Sequence, residues 1–129
     1  MILCSGAFDG LHAGHIRYLR AARDIDPSQM LRVAIAPDTY ISSAKGRTPF
    51  WSQEDRAITV WAVDCVDGVI IQIDETVAKV IIGYRPRYLV KGADWRGRLP
   101  TDVKAACQEV GAEIVFVDTP GRHVSEARC

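Results

Sequence analysis

The residues best placed to do chemistry lie close to the start of the chain, in Gly6-Ala7-Phe8-Asp9-Gly10-Leu11-His12-Ala13-Gly14-His15. His12 and His15 are three apart, so at a helix start they face one side. Glycines in such a turn let the backbone approach a ligand closely. The first amides of a helix and its positive dipole end form an anion site. Two imidazoles beside those amides suit a phosphate whose charge grows in a transition state. Further along come Asp38, then Lys45 and Arg47 in a polar run, then Lys91, Gly92, Asp94 and Trp95, and finally Gly121, Arg122, His123 and Ser125. The glycines lack the GxGxxG dinucleotide spacing, no GK[ST] phosphate loop is present, and the histidines are not spaced as in HExxH.

These residues need elements to hold them. Short apolar runs predict strands over 2–6, 31–36, 66–73, 87–91 and 113–117. Ile16, Leu19 and Ala22 recur every third residue, with Arg17, Arg20 and Arg23 on another side, which predicts an amphipathic helix over 14–25. Ser52 is a good N-cap for a helix over 52–63, and Asp55 stands three residues later. Helices are also expected over 76–84 and over 101–110, the latter stopped by Gly111. Residues 39–49 read as a polar loop centred on Lys45-Gly46-Arg47.

Strands alternating with helices predict a Rossmann-like three-layer α/β/α fold with a five-stranded parallel sheet. In such sheets ligands bind beyond the carboxyl ends of the strands, where the strand order reverses. Nearly all of the polar residues named above fall at that edge. The 129 residues suit one domain, taken as 1–129, and no linker or internal repeat interrupts them. Sixteen Lys and Arg balance sixteen Asp and Glu, so no global basic field exists for nucleic acid. No apolar run approaches the roughly 20 residues of a membrane span, and no signal-peptide pattern opens the chain. Cys4, Cys65, Cys107 and Cys129 match no zinc framework and read as reduced thiols of a cytoplasmic protein. Trp51 and Trp61 read as core or subunit-interface residues, and Asp64 and Asp67 as caps where a strand begins.

The run Gly6…Phe8-Asp9…His12…Gly14-His15 resembles the G-x-F-D-x-x-H-x-G-H signature of cytidylyltransferase-like nucleotidyltransferases. Lys45-Gly46-Arg47 resembles that family's mobile lysine loop. Arg56 falls at its arginine early in the next helix. Val66-Asp67-Gly68-Val69 is similar to its VDxV strand start, and Leu89-Val90-Lys91-Gly92-Ala93-Asp94-Trp95 to its LVKGxDW/Y segment. The resemblance implies that a substrate phosphate attacks the α-phosphorus of a nucleoside triphosphate, ATP or CTP, and that pyrophosphate leaves. It implies catalytic roles for His12, His15 and Lys45. It implies nucleotide contacts from Ala7, Phe8, Asp9, Gly14, Lys91, Gly92, Asp94 and Ser125, and contacts to a phosphorylated small molecule from Asp38, Arg47 and Arg56. Mg²⁺ accompanies the triphosphate, with no metal site built from the protein. Dimers are usual in the resembled family.

Within the family, Asp64, the segment Ile73-Asp74-Glu75-Thr76 and Lys91 resemble the adenylyltransferase domain that acts on heptose 1-phosphate. Trp95 resembles the glycerol-3-phosphate cytidylyltransferases. The balance favours ATP and a sugar phosphate, with the CTP-using glycerol type as the alternative. Ser125 matches the first serine of the family's closing signature, but Glu126 stands where a hydroxyl is usual, which motivates a non-catalytic nucleotide-binding alternative. Taken without the resemblance, His12 and His15 with Asp9 or His123 also allow a metal-dependent phosphatase.

Overall fold

The computed structural model describes residues 1–118. Five strands, β1 (Ile2–Gly6), β2 (Leu31–Ile35), β3 (Gly68–Ile71), β4 (Tyr88–Gly92) and β5 (Glu113–Val117), form one all-parallel sheet in the order β3-β2-β1-β4-β5. The chain therefore builds outward from β1 in one direction and then returns to build in the other, which puts the reversal between β1 and β4. The strands read as apolar runs because both faces of the sheet are covered.

Alternation along β1 shows how the layers arise. Ile2 and Cys4 point into a core shared with Leu19 and Ala22 of α1 (Ala13–Ile25) and with Ala57 and Val60 of α3 (Gln53–Trp61). Leu3 points the other way, against Ile81 of α4 (Ala78–Tyr84) and Val103, Ala106 and Cys107 of α5 (Thr101–Val110). Each fully buried aliphatic side chain contributes about 1.5–3 kcal/mol. Asp67 fixes where β2 and β3 begin: its carboxylate accepts the Leu31 amide at 2.8 Å and pairs with Arg23 at 3.1 Å.

Two expectations change. Residues 38–45 are not loop but a helix, α2 (Asp38–Lys45), with buried Ile41 as its anchor. Its start, Pro37-Asp38, carries an acid in the first turn, and Gly46 ends it at φ 65°, where a glycine is relaxed. Eight residues with one buried side chain give too little periodicity to read. The third strand is shorter than 66–73: Val66 closes a turn and Ile73 is almost fully exposed. Trp51 and Trp61, expected in the core or at a subunit interface, are exposed in the single chain and so are not core. Cys4, Cys65 and Cys107 are free thiols. No helix among the described residues is long and apolar enough to cross a membrane.

Candidate active site at the sheet reversal

After Cys4 and Val90 the strands β1 and β4 part, although each stays paired to its outer neighbour as far as Gly6 and Gly92. The main chain of Ser5 is thus left without a strand partner on that side. Side chains take over. The Tyr18 hydroxyl receives the Ser5 amide at 3.4 Å and donates to the Val90 carbonyl. Lys91 Nζ donates to the Ser5 carbonyl at 3.2 Å and to its hydroxyl at 3.1 Å. The separation opens a cavity of about 510 Å³ at the carboxyl ends of the strands.

Ala7, Phe8, Asp9, His12, Gly14, His15, Lys45, Lys91, Gly92 and Asp94 all border this one cavity. Arg47, Asp38 and Arg56 do not. Ser125, with His123 and Glu126, lies outside the described residues.

The loop between β1 and α1 is held from below. Phe8 is buried at φ 52°, a left-handed conformation that costs a bulky residue about 1–3 kcal/mol. That conformation turns the ring inward, 5.1 Å from the His15 ring and beside Tyr18. Only glycine fits at position 6, since a Cβ there would lie 2.9 Å from the Phe8 ring. Phe8 therefore supports His15 from the core side.

His12 and His15 cap α1 as well as facing the cavity. His12 Nδ1 accepts the Gly14 amide at 3.0 Å, and His15 Nδ1 accepts the His12 amide at 3.2 Å. This is a reciprocal N-terminal cap made from imidazoles. It corrects one expectation, because the Gly14 amide is already bonded and is not available to an anion. It also fixes both tautomers. With Nδ1 accepting, the ring proton sits on Nε2, and both rings are donors there. The ring centroids lie 3.9 Å apart, so the two imidazoles sit side by side.

Lys91 supplies a cation at the cavity floor. It is 8% exposed, with Nζ 4.5 Å from the Trp95 ring. Burial lowers its pKa from 10.5 to about 8, against the opposing pull of Cys4 and Asp94. Between those two values the unfolded chain binds the extra proton, so stability rises with pH. We expect Lys91→Met to lack this rise. Melting the wild type and Lys91→Met at about pH 7 and about pH 10 should show the wild type gaining on the variant as pH increases.

Arg56 takes a different place from the one the sequence implies. It is 1% exposed, and its guanidinium donates to Trp51 O, Ala7 O and Ala36 O at 3.0, 2.7 and 2.8 Å and to Asp38 Oδ1 at 2.8 Å. It ties the ends of β1 and β2 to α3 from behind the cavity. Asp38 is its ionic partner.

Sequence reasoning missed Tyr18, Tyr40 and Gln72 on the cavity wall. Tyr18 carried a signal: it stands three residues after His15 on the same helix face. Gln72, the first polar residue after an apolar strand, carried another. No group of three or more metal-ligating side chains occurs among the described residues. Asp9, the loop's one acid, has its carboxylate engaged by Arg47 and by backbone amides. The described residues thus do not form a protein cage for Mg²⁺, an ion commonly held through substrate phosphates and water.

The chain is 35% identical over 116 residues to "Bifunctional protein HldE" of Campylobacter concisus and 38% identical over 116 residues to that of Campylobacter curvus, in each case 89% of this chain and 22% of the relative. The protein of the same name from Helicobacter pylori is 38% identical over 96 residues, 74% of this chain and 20% of the relative. The chain thus spans about a fifth of the length of these curated relatives. Among solved structures, the lipopolysaccharide core biosynthesis protein from Thermoplasma volcanium shares the fold, with a TM-score of 0.73 at 23% identity over 92% of this chain and 93% of that one. Pantothenate synthetase from Thermus thermophilus shares it at a TM-score of 0.55 and 16% identity, over 91% of this chain and 55% of that one. The cytidylyltransferase-like family model matches residues 3–121, nearly the whole sequence. With the β1–α1 loop, both histidines and Lys91 gathered at one sheet reversal, the chain belongs to the cytidylyltransferase-like family of nucleotidyltransferases.

Proposed function

We propose that this chain transfers a nucleotidyl group, AMP in preference to CMP, from a nucleoside triphosphate to a sugar phosphate and releases pyrophosphate. The observation that carries the reading is that His12 and His15, each with Nδ1 accepting a backbone amide, border one cavity with Lys45 and Lys91. An acceptor phosphate oxygen attacks the α-phosphorus, the bond to the pyrophosphate oxygen breaks, and negative charge grows on the oxygens between. Preorganised donors and cations at that point lower the barrier without a covalent intermediate. The two histidines serve the α-phosphate. Lys45 neutralises charge from the cavity rim, and Lys91 from its floor. Mg²⁺ bound to the triphosphate would supply further charge neutralisation, beyond that given by Lys45 and Lys91.

A sugar acceptor is supported by the polar lining, where Tyr40, Gln72, Glu75 and Thr76 border the cavity beside Trp95, although Gln72, Glu75 and Thr76 also bond Asp74, Ser43 and Asp102. The likeness to proteins named HldE points the same way, given the resemblance of residues 73–76 and Lys91 to the heptose 1-phosphate type. Trp95 favours the glycerol-3-phosphate and CTP reading.

The test is pyrophosphate release with ATP or CTP, Mg²⁺ and a panel of sugar 1-phosphates and glycerol 3-phosphate. Release with ATP and a sugar phosphate is the expected result. Release only with CTP and glycerol 3-phosphate would replace the lead reading with the alternative. Nucleotide binding without release from any acceptor would leave a non-catalytic binding protein.

A further inference from the structure

Asp9 is the one ionisable side chain of the phosphate loop to which the proposed chemistry gives no task. It borders the cavity, yet its carboxylate is only 2% exposed. Oδ1 accepts the Trp51 amide at 3.0 Å. Oδ2 accepts the Phe50 amide at 3.0 Å and Arg47 Nη1 at 2.8 Å. Burial raises the Asp9 pKa, but the Phe50 amide, Arg47 and the Trp51 amide together outweigh it and hold the carboxyl below its ordinary range.

All three donors come from residues 46–51, which follow Lys45 directly. Arg47 also folds this segment on itself. Its guanidinium lies 4.3 Å from the Phe50 ring and donates to the Thr48 carbonyl at 3.1 Å. Apart from these bonds the segment is mostly exposed and has little core to hold it. Lys45 sits at its beginning, on the last residue of α2 and in solvent reach, where a small displacement would take the ammonium out of the cavity. Three of the carboxylate's roughly four acceptor sites are taken by that segment, and the side chain is buried, so the segment is its main partner.

We propose that Asp9 is a positioning residue: its carboxylate fastens residues 46–51 to the phosphate loop, and thereby holds Lys45 over the cavity, without touching nucleotide or Mg²⁺. The inference rests on the nucleotidyltransferase reading above. A displacement of about 1 Å in a reacting group can cost on the order of 10² in rate.

The experiment is a double-mutant cycle of Asp9→Asn and Lys45→Ala in pyrophosphate release, with trypsin cleavage after Lys45 measured in nucleotide-free protein. Asp9→Asn should lower kcat about 10–100-fold, leave the Mg²⁺ dependence in place, and add little to Lys45→Ala. Cleavage after Lys45 should be severalfold faster in Asp9→Asn. Arg47→Ala, which removes one donor and disturbs no core, should move both readouts in the same direction by less. Additive effects, a shifted Mg²⁺ requirement, or unchanged cleavage in both variants would overturn the proposal. If the wild type releases no pyrophosphate with any acceptor, the nucleotidyltransferase reading fails by itself, and cleavage after Lys45 still decides whether Asp9 fastens the segment.

Discussion

Replacing His12 with asparagine and His15 with glutamine is expected to lower turnover about 10²–10³-fold for each change while the fold keeps its stability. The choice of variants follows from the double duty of these rings. Asparagine is a strong N-cap and can still accept the Gly14 amide. Glutamine at the third helical position can still accept the His12 amide. Both variants therefore keep the cap and remove the Nε2 donor. His12→Ala removes both, and its melting point should also fall, by the equivalent of about 1 kcal/mol for a lost cap. Steady-state kinetics with thermal melts separates the two contributions. Near-wild-type turnover in His12→Asn would show that the ring serves only the helix.

The second large effect is structural. Arg56→Met should destabilise the protein by about 3 kcal/mol or more, because three carbonyl acceptors lose their donor and each unsatisfied buried group costs about 1–3 kcal/mol. For a domain of this size that corresponds to a fall of roughly 10 °C in Tm. Arg56→Lys should recover little, since one ammonium cannot reproduce a planar fork that reaches Trp51, Ala7, Ala36 and Asp38 together. A loss of less than about 3 °C in Arg56→Met would mean that water replaces the guanidinium, and that Arg56 is not the brace described here.

The contrast between Arg56 and His12 shows what a sequence can convey. The five strands and helices α1, α3, α4 and α5 were legible because their apolar spacing reflects burial, which is local and periodic. The gathering of Ala7, His12, His15, Lys91 and Asp94 at one edge was legible too, because strand–helix alternation alone puts strand ends together. The direction a charged side chain takes is set by tertiary neighbours. Arg56 is one turn into an amphipathic helix and could face either way; the carbonyls of Ala7 and Ala36 draw it inward. Asp9 likewise reads as a ligand until the amides of Phe50 and Trp51, some forty residues later, are found to occupy it. Helix α2 escaped notice because one buried isoleucine makes no pattern.

The parting of β1 from β4 also bears on how this site can change its preferences. Lys91 and Tyr18 look like ordinary cavity residues, yet they complete the sheet at Ser5, so an exchange at either position is paid for in the fold as well as in the ligand. Residues such as Tyr40 on the opposite wall carry no comparable main-chain duty toward the sheet. Adaptation to a new acceptor should therefore be channelled to that wall and to the rim around Trp95, while the floor stays fixed. A library randomised at positions 40, 76 and 95 should yield many folded variants with altered acceptor range, whereas one randomised at 18 and 91 should yield mainly unstable protein.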